Sequence, residues 1–196
     1  MEFLSYVKLP NLKRVFIQYV DKKLDTVARF LNSSFPNTVE DLFLNGGLDK
    51  PSFKIDDLQP SLSRFLPGVQ NRIHVSNVQM DSSSLSNFIK AAKHIKEVNI
   101  SNGNIHVNGQ IDFGQHLHYY IKQLCLFGTG NSNNSSWRTN KQDMIDIFKA
   151  IKNTHLSKSI ESLLLSDCGW SNSEMKKILE SDEVGLGHIK LNCSFF

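Results

Sequence analysis

A chain of 196 residues with 22 basic and 19 acidic side chains has a formal net charge of +3, too mild a bias to imply a nucleic-acid or membrane-surface partner by itself. That length buries roughly 70% of the unfolded surface without covalent staples, and three cysteines with no C-x-x-C pair argue against a disulfide framework or the common zinc and redox motifs. No run approaches about 20 apolar residues, and Met1 to Lys8 lack a basic stretch leading into an apolar one. Neither a membrane span nor a signal peptide is therefore expected, and the expected compartment is intracellular, cytoplasmic by default.

One frame recurs along the chain. Leu12-Lys-Arg-Val15-Phe-Ile17 has apolar residues at its first, fourth and sixth positions. Side chains two apart on a strand share a face, so Val15 and Ile17 turn inward and Phe16 outward. The frame returns at Val39, Leu42 and Leu44; in part at Ile73 and Val75, with Met80 closing; and at Ile95, Val98 and Ile100, with Gly103 and Ile105. It continues at Ile121, Leu124 and Leu126, at Ile160, Leu163 and Leu165, and at Leu186, Ile189 and Leu191, with Phe196. Seven short strands are predicted, centred on Val15, Leu42, Ile73, Val98, Leu124, Leu163 and Ile189. Four of the six intervals between these centres fall within about 20 to 29 residues, and those ending at Ile73 and Leu163 are longer.

Helical periodicity fills the gaps. Leu24, Val27, Ala28 and Leu31 follow i, i+3, i+4, i+7, as do Leu85, Phe88, Ile89 and Ala92, and Met144, Ile147, Phe148 and Ile151. Ser82 and Ser83 are candidate N-caps for the second helix, and Ser171 with Glu174 makes a capping box ahead of Met175, Ile178 and Leu179. Pro60 would interrupt a helix over 56–66 unless it falls in the first turn, and Gly114 makes a helix over 111–120 doubtful. Strands alternating with helical crossovers give a parallel sheet with helices against its other face.

The strongest single match is Ile160 to Trp170, where Ile160, Leu163 and Leu165 are followed by Cys168 at a buried-turn position and Trp170 at a closing apolar one. On this motif and its weaker copies the chain resembles leucine-rich repeat proteins, closest to the strand-helix subclass of the ribonuclease-inhibitor type. The resemblance implies an α/β solenoid, a parallel sheet of about seven short strands with helices on the other face. It would form one domain over residues 1–196 with a loop insertion at 127–141. The position where that family carries Asn or Cys reads Val20, Gly47, Val78, Gly103, Thr129, Cys168 and Ser194, which implies an uneven, divergent solenoid. Solenoids need capping ends; Phe3, Leu4, Val7 and Leu9 are expected to cover the first repeat. The edge from His188 to Phe196 is expected to dock on another chain, cover itself, or continue into further sequence.

In such a fold function sits on the outward columns of the sheet. The central column is predicted as Phe16, Phe43, His74, Asn99, Cys125, Leu164 and Lys190, flanked by Arg14, Asp41, Arg72, Glu97, Gln123, Ser162 and His188. Phe16 beside Phe43 would be a solvent-facing aromatic pair that a partner or the chain's own loops would cover. Arg14, Asp41, Arg72 and Glu97 would alternate in sign, either steadying the sheet or selecting a partner. Phe127, at the head of the insertion, and Trp137 beside Arg138 are further contact candidates, although Trp137 could equally anchor the loop.

Catalytic and metal signatures are missing from the sequence. Gly128 and Gly130 complete no phosphate-binding motif, and no G-x-S-x-G or H-E-x-x-H occurs. His116 and His118 could share a metal only on a strand, Cys125 and His74 would be two strands apart, and Cys168 is expected as a buried turn residue. Sequons at Asn32, Asn133, Asn134 and Asn192 are expected to be chance. The expectation is a non-enzymatic protein-binding scaffold, a subunit of a hetero-complex, with no cofactor and no metal. The alternatives are a substrate-recognition adaptor or regulatory subunit of an enzyme, and RNA binding through Lys8, Lys13, Arg14, Lys22 and Lys23 with Tyr6, Tyr19 and Phe16 for stacking.

Overall fold

The computed structural model describes residues 11–33, 39–47, 53–101, 103–127, 141–166 and 171–192, excluding the side chains of Phe127 and Ser166. Its elements in chain order are β1 (Arg14–Gln18), α1 (Leu24–Asn32), β2 (Asp41–Asn45), β3 (Phe53–Lys54), α2 (Gln59–Phe65), β4 (Arg72–Ser76), β5 (Val78–Asp81) and α3 (Ser82–Ala91). They continue with β6 (Glu97–Ser101), β7 (Asn104–His106), β8 (Gln123–Phe127), α4 (Lys141–Lys152), α5 (Leu156–Ser159), β9 (Ser162–Ser166), α6 (Asn172–Glu180) and β10 (Lys190–Asn192).

The protein is α/β, with a seven-stranded sheet ordered β1-β2-β4-β6-β8-β9-β10. Every pairing in it is parallel. Val15, Leu42, Ile73, Val98, Leu124 and Leu163 occupy one continuous row across the first six strands. All six are buried, as are Ile17, Leu44, Val75, Ile100, Leu126 and Leu165 two residues on. A one-residue slip would turn every one of these side chains to the opposite face, so the apolar alternation itself specifies the register. The strands' inward side chains and the apolar faces of the helices, including Val27, Leu31, Phe88 and Phe148, form one continuous core. The helices therefore cover the inner side of the sheet.

A backbone device recurs ahead of four of the strands, β2, β4, β8 and β9. The Lys13 carbonyl accepts from the N–H groups of both Glu40 and Asp41, at 2.7 and 3.0 Å, and the Glu40 carbonyl accepts from Asn71 and Arg72. The Lys96 carbonyl does the same for Lys122 and Gln123, and the Lys122 carbonyl for Glu161 and Ser162. Donors that a strand beginning would otherwise leave unpaired are thus satisfied at the step before these four strands.

Several expectations require correction. The last strand pairs Lys190 with Ser162 and Leu191 with Leu163, so Leu191, not Ile189, joins the central row. The cause is local: Ile189 donates to the Leu186 carbonyl at 3.0 Å, and both side chains are buried within the turn before the strand. Their three-residue spacing matches the strand frame by coincidence. The cap of α3 is Asp81, not Ser82 or Ser83: Asp81 Oδ1 accepts from the Ser84 N–H at 2.8 Å, and the Asp81 N–H donates to Ser84 Oγ at 2.7 Å. Ser171 and Glu174 form the expected capping box on α6. Pro60 does fall in the first turn of α2, where its missing N–H costs nothing.

A second sheet, β3-β5-β7, is also parallel and buries Phe53, Val78, Met80 and Ile105. Residues 111–120 form no helix. Gly114 there has φ +75°, and the segment is pinned to α3 by Asp112 N–H to Ser86 Oγ at 3.0 Å and by the Lys90–Asp112 ion pair at 2.7 Å. The buried Tyr119 hydroxyl donates to the Phe113 carbonyl, and burial pushes the phenol up to about 12.

The Asp81 cap carries a prediction. The Ser84 N–H, followed by the Ser84 hydroxyl and the Ser83 N–H, holds its carboxyl below the ordinary range against the opposing effect of burial. A depressed carboxylate contributes stability that is complete above its unfolded pKa of about 4 and is lost as pH falls through the folded value. Asp81→Ala is therefore expected to cost about 1 kcal/mol at neutral pH. In urea titrations the difference from wild type should shrink on acidification.

Candidate functional site: the outward face of the sheet

Strand alternation places Arg14, Asp41, Arg72, Glu97, Gln123, Ser162 and Lys190 in one outward column. Phe16, Phe43, His74, Asn99, Cys125, Leu164 and Asn192 fill the next. Lys190 thus moves from the central column to the flanking one. His188 leaves the sheet, its Nε2 lying 3.0 Å from the Ser157 carbonyl.

The flanking column is neutralised along its first four members. Arg14 Nε lies 3.1 Å from Asp41 Oδ2, and Arg72 Nε lies 2.5 Å from Glu97 Oε2. The hydrogen bond that Arg72 donates to Glu97 raises the guanidinium pKa further, against the effect of burial. Just ahead of the strands, Lys13 pairs with Glu40 at 2.8 Å and Lys122 with Glu161 at 2.8 Å. The exposed Lys13–Glu40 and Lys122–Glu161 pairs contribute about 0 to 1 kcal/mol each. The larger effect of these ion pairs is to balance the charges of Lys13, Arg14 and Arg72 beside Phe16 and Phe43.

Phe16 and Phe43 stack with ring centroids 4.2 Å apart and planes within 3°. Phe16 remains 64% exposed, while Phe43 is half-buried and its ring is 5.9 Å from that of His74. His74 Nε2 is 2.7 Å from Ser101 Oγ. Burial, and then the nearby Arg72, push its pKa below the ordinary histidine value, so the imidazole is neutral at pH 7. From Phe16 to His74 the column is an uncharged aromatic strip. Tyr19, exposed and at φ 57°, lies just past the end of β1 with Lys22 Nζ 5.5 Å from its ring centroid.

The column changes character beyond His74. Asn99 Oδ1 is buried and accepts no hydrogen bond from the described residues. Cys125, expected to be exposed, is 1% accessible. Burial pushes its thiol up to about 11, and Gln123 Nε2 donates to its Sγ at 3.3 Å; a protonated, enclosed thiol is not a nucleophile. Asn99 does separate His74 from Cys125. Leu164 is half-buried. Phe127 closes β8 opposite Ser101 and Ser166, but its side chain, like the whole of Trp137, Arg138, Thr129, Cys168 and residues 1–10, lies outside the described residues.

Sequence spacing gave no hint of two histidine contacts. His118, on an irregular segment, has its ring 5.2 Å from that of His155, and His106 Nδ1 lies 3.7 Å from Asp143 Oδ2. Both join residues far apart in the chain, and no local motif encodes them. Among the described residues no three His, Cys, Asp or Glu side chains form a potential metal-ligand set, and no helix is long and apolar enough to cross a membrane. Comparison with known proteins finds no matching family, no matching curated protein and no matching solved structure.

Proposed function

We propose that this chain is a divergent leucine-rich-repeat solenoid acting as a non-enzymatic protein-docking scaffold, a structural or accessory subunit of a larger assembly. The reading of the fold is supported by six apolar residues in one row and by the doubled N–H to carbonyl contact repeated ahead of four strands. The reading of the function is carried by one observation: the parallel Phe16–Phe43 stack with Phe16 64% exposed. Phe16 gives a partner a rigid anchor, and aromatic anchors dominate many interfaces. The sheet spans about 29 Å from first strand to last at about 4.8 Å per step, enough to seat a helix or extended segment of a partner.

A docked protein is favoured over RNA by two features. One face of Phe16 is already taken by Phe43, and Lys13 and Arg14 beside it are paired with Glu40 and Asp41. Base stacking needs free ring faces beside free positive charge.

Salt dependence separates the two. Complexes isolated on the tagged chain should keep the same protein components from about 0.1 to 1 M salt, and after nuclease treatment, because buried apolar contact is not screened. Loss of all bound material over that range, with nucleic acid recovered at low salt, would replace the scaffold by a polyanion binder.

A further inference from the structure

A depression of about 270 Å³ opens where α4 runs into α5, away from the aromatic strip. Its wall includes Lys152, Lys158 and His155 and the amides Gln115 and Asn153, and among the described residues no carboxylate side chain lines it. Lys152 Nζ is held in place by the Asp182 and Glu183 carbonyls, at 2.6 and 3.3 Å. These neutral acceptors orient the ammonium without cancelling its charge. Gly185 secures that position: at φ +61°, a Cβ there would lie 3.2 Å from Lys152 Cε and 3.3 Å from Nζ.

The hydroxyls are saturated internally. Thr154 Oγ1 donates to the Ile151 carbonyl, and Ser157 Oγ donates to the Thr154 carbonyl. Donors left for a guest are therefore ammonium, imidazole and amide groups. His118 stands against His155, and His188 reaches the Ser157 carbonyl at the same place. A cation is disfavoured, because two lysines line the space and the described residues hold no potential metal-ligand set.

We infer that this depression is a binding site for a phosphate-sized oxyanion, the phosphoryl group of a small ester. Lys152 and Lys158 supply charge-assisted hydrogen bonds, and His155 with an amide supplies further donors. The volume is below that of pockets for drug-sized ligands, about 300 to 1,000 Å³, and suits a single head rather than a whole dinucleotide. The site is independent of the docking strip and stands or falls apart from it.

The test is a titration of the full chain with inorganic phosphate at constant ionic strength set with chloride, following the imidazole resonances in two-dimensional NMR. Saturable shifts are expected at His118 and His155 and not at His74 or His94. Lys158→Ala should weaken binding about tenfold, the equivalent of one charged hydrogen bond, while Lys158→Arg retains it. Folding of each variant is checked by its unfolding midpoint, and Lys158 is exposed on a short helix, so neither change disturbs the core. Tighter binding of glycerol phosphate would mark a soluble ester. Lys158-dependent sedimentation with phosphatidate vesicles would mark a lipid-borne phosphate. Shifts that never saturate, that chloride reproduces, or that survive Lys158→Ala unchanged would overturn the site.

Discussion

Phe16→Glu combined with Phe43→Glu is expected to abolish the salt-stable complex while leaving the chain folded. Docking must desolvate both positions, and an unpaired carboxylate resists this by several kcal/mol. Anchor aromatics contribute about 2 to 4 kcal/mol each, so affinity should fall by about a thousandfold or more. The fold tolerates the change because Phe16 is exposed and Phe43 only half-buried. Loss of the ring stack costs about 0.5 to 1.5 kcal/mol, with a smaller penalty from like charges on adjacent strands. Phe16→Tyr, which keeps the ring, should bind nearly as wild type. Pull-down and thermal unfolding on the same preparations decide the matter: a folded double variant that still binds normally would remove the strip from the interface.

Leu163→Ala is expected to destabilise the protein by about 2 to 5 kcal/mol, and Leu164→Ala by less than about 1.5 kcal/mol. The two residues are neighbours on β9 and differ in the side of the sheet they occupy. Leu163 is wholly enclosed in the core row beside Leu124 and Leu191, whereas Leu164 stands half-buried beside Cys125 and Asn192. Truncating the first leaves a cavity that packed neighbours cannot fill; truncating the second opens onto a looser surface. For a chain of this size, several kcal/mol corresponds to a fall in Tm of about 10 °C or more. Equal effects from the two changes would mean that the register or the facing of β9 is wrong.

These two residues also show which parts of the fold were legible. A period of two with large aliphatics specifies both strand and facing, so six of the seven central positions could be placed from residue order alone. Ile189 failed because apolar residues three apart also suit a buried turn, and only the pairing with β9 distinguishes the two. The strands of the second sheet span two to four residues, too short for any period to register. Residue preference does not single out Asp81 as the cap, because Ser82 and Ser83 stand beside it and satisfy the same preference. Only the reciprocal bonds with Ser84 single it out.

On the site, the aromatic pair and the alternating charges follow from residue type plus register, and both are present. The burial of Cys125 and the lowered pKa of His74 depend on what covers each position in three dimensions, which outward alternation does not encode. The depression beside α5 depends on Gln115, from the segment between β7 and β8, meeting the α4–α5 connection that carries Lys152 and His155. No periodicity marks such a convergence.

The scaffold reading is tested most directly by placing a photo-activated cross-linking residue at position 16 and, separately, at Lys176, an exposed site on α6 in the helical layer. After irradiation of the intact complex, a protein adduct should form from position 16 and not from position 176, with the attachment mapped by mass spectrometry to one contiguous segment of the partner. Adducts from position 176 alone, with position 16 left unreacted in the same complex, would contradict docking on the outward face of the sheet.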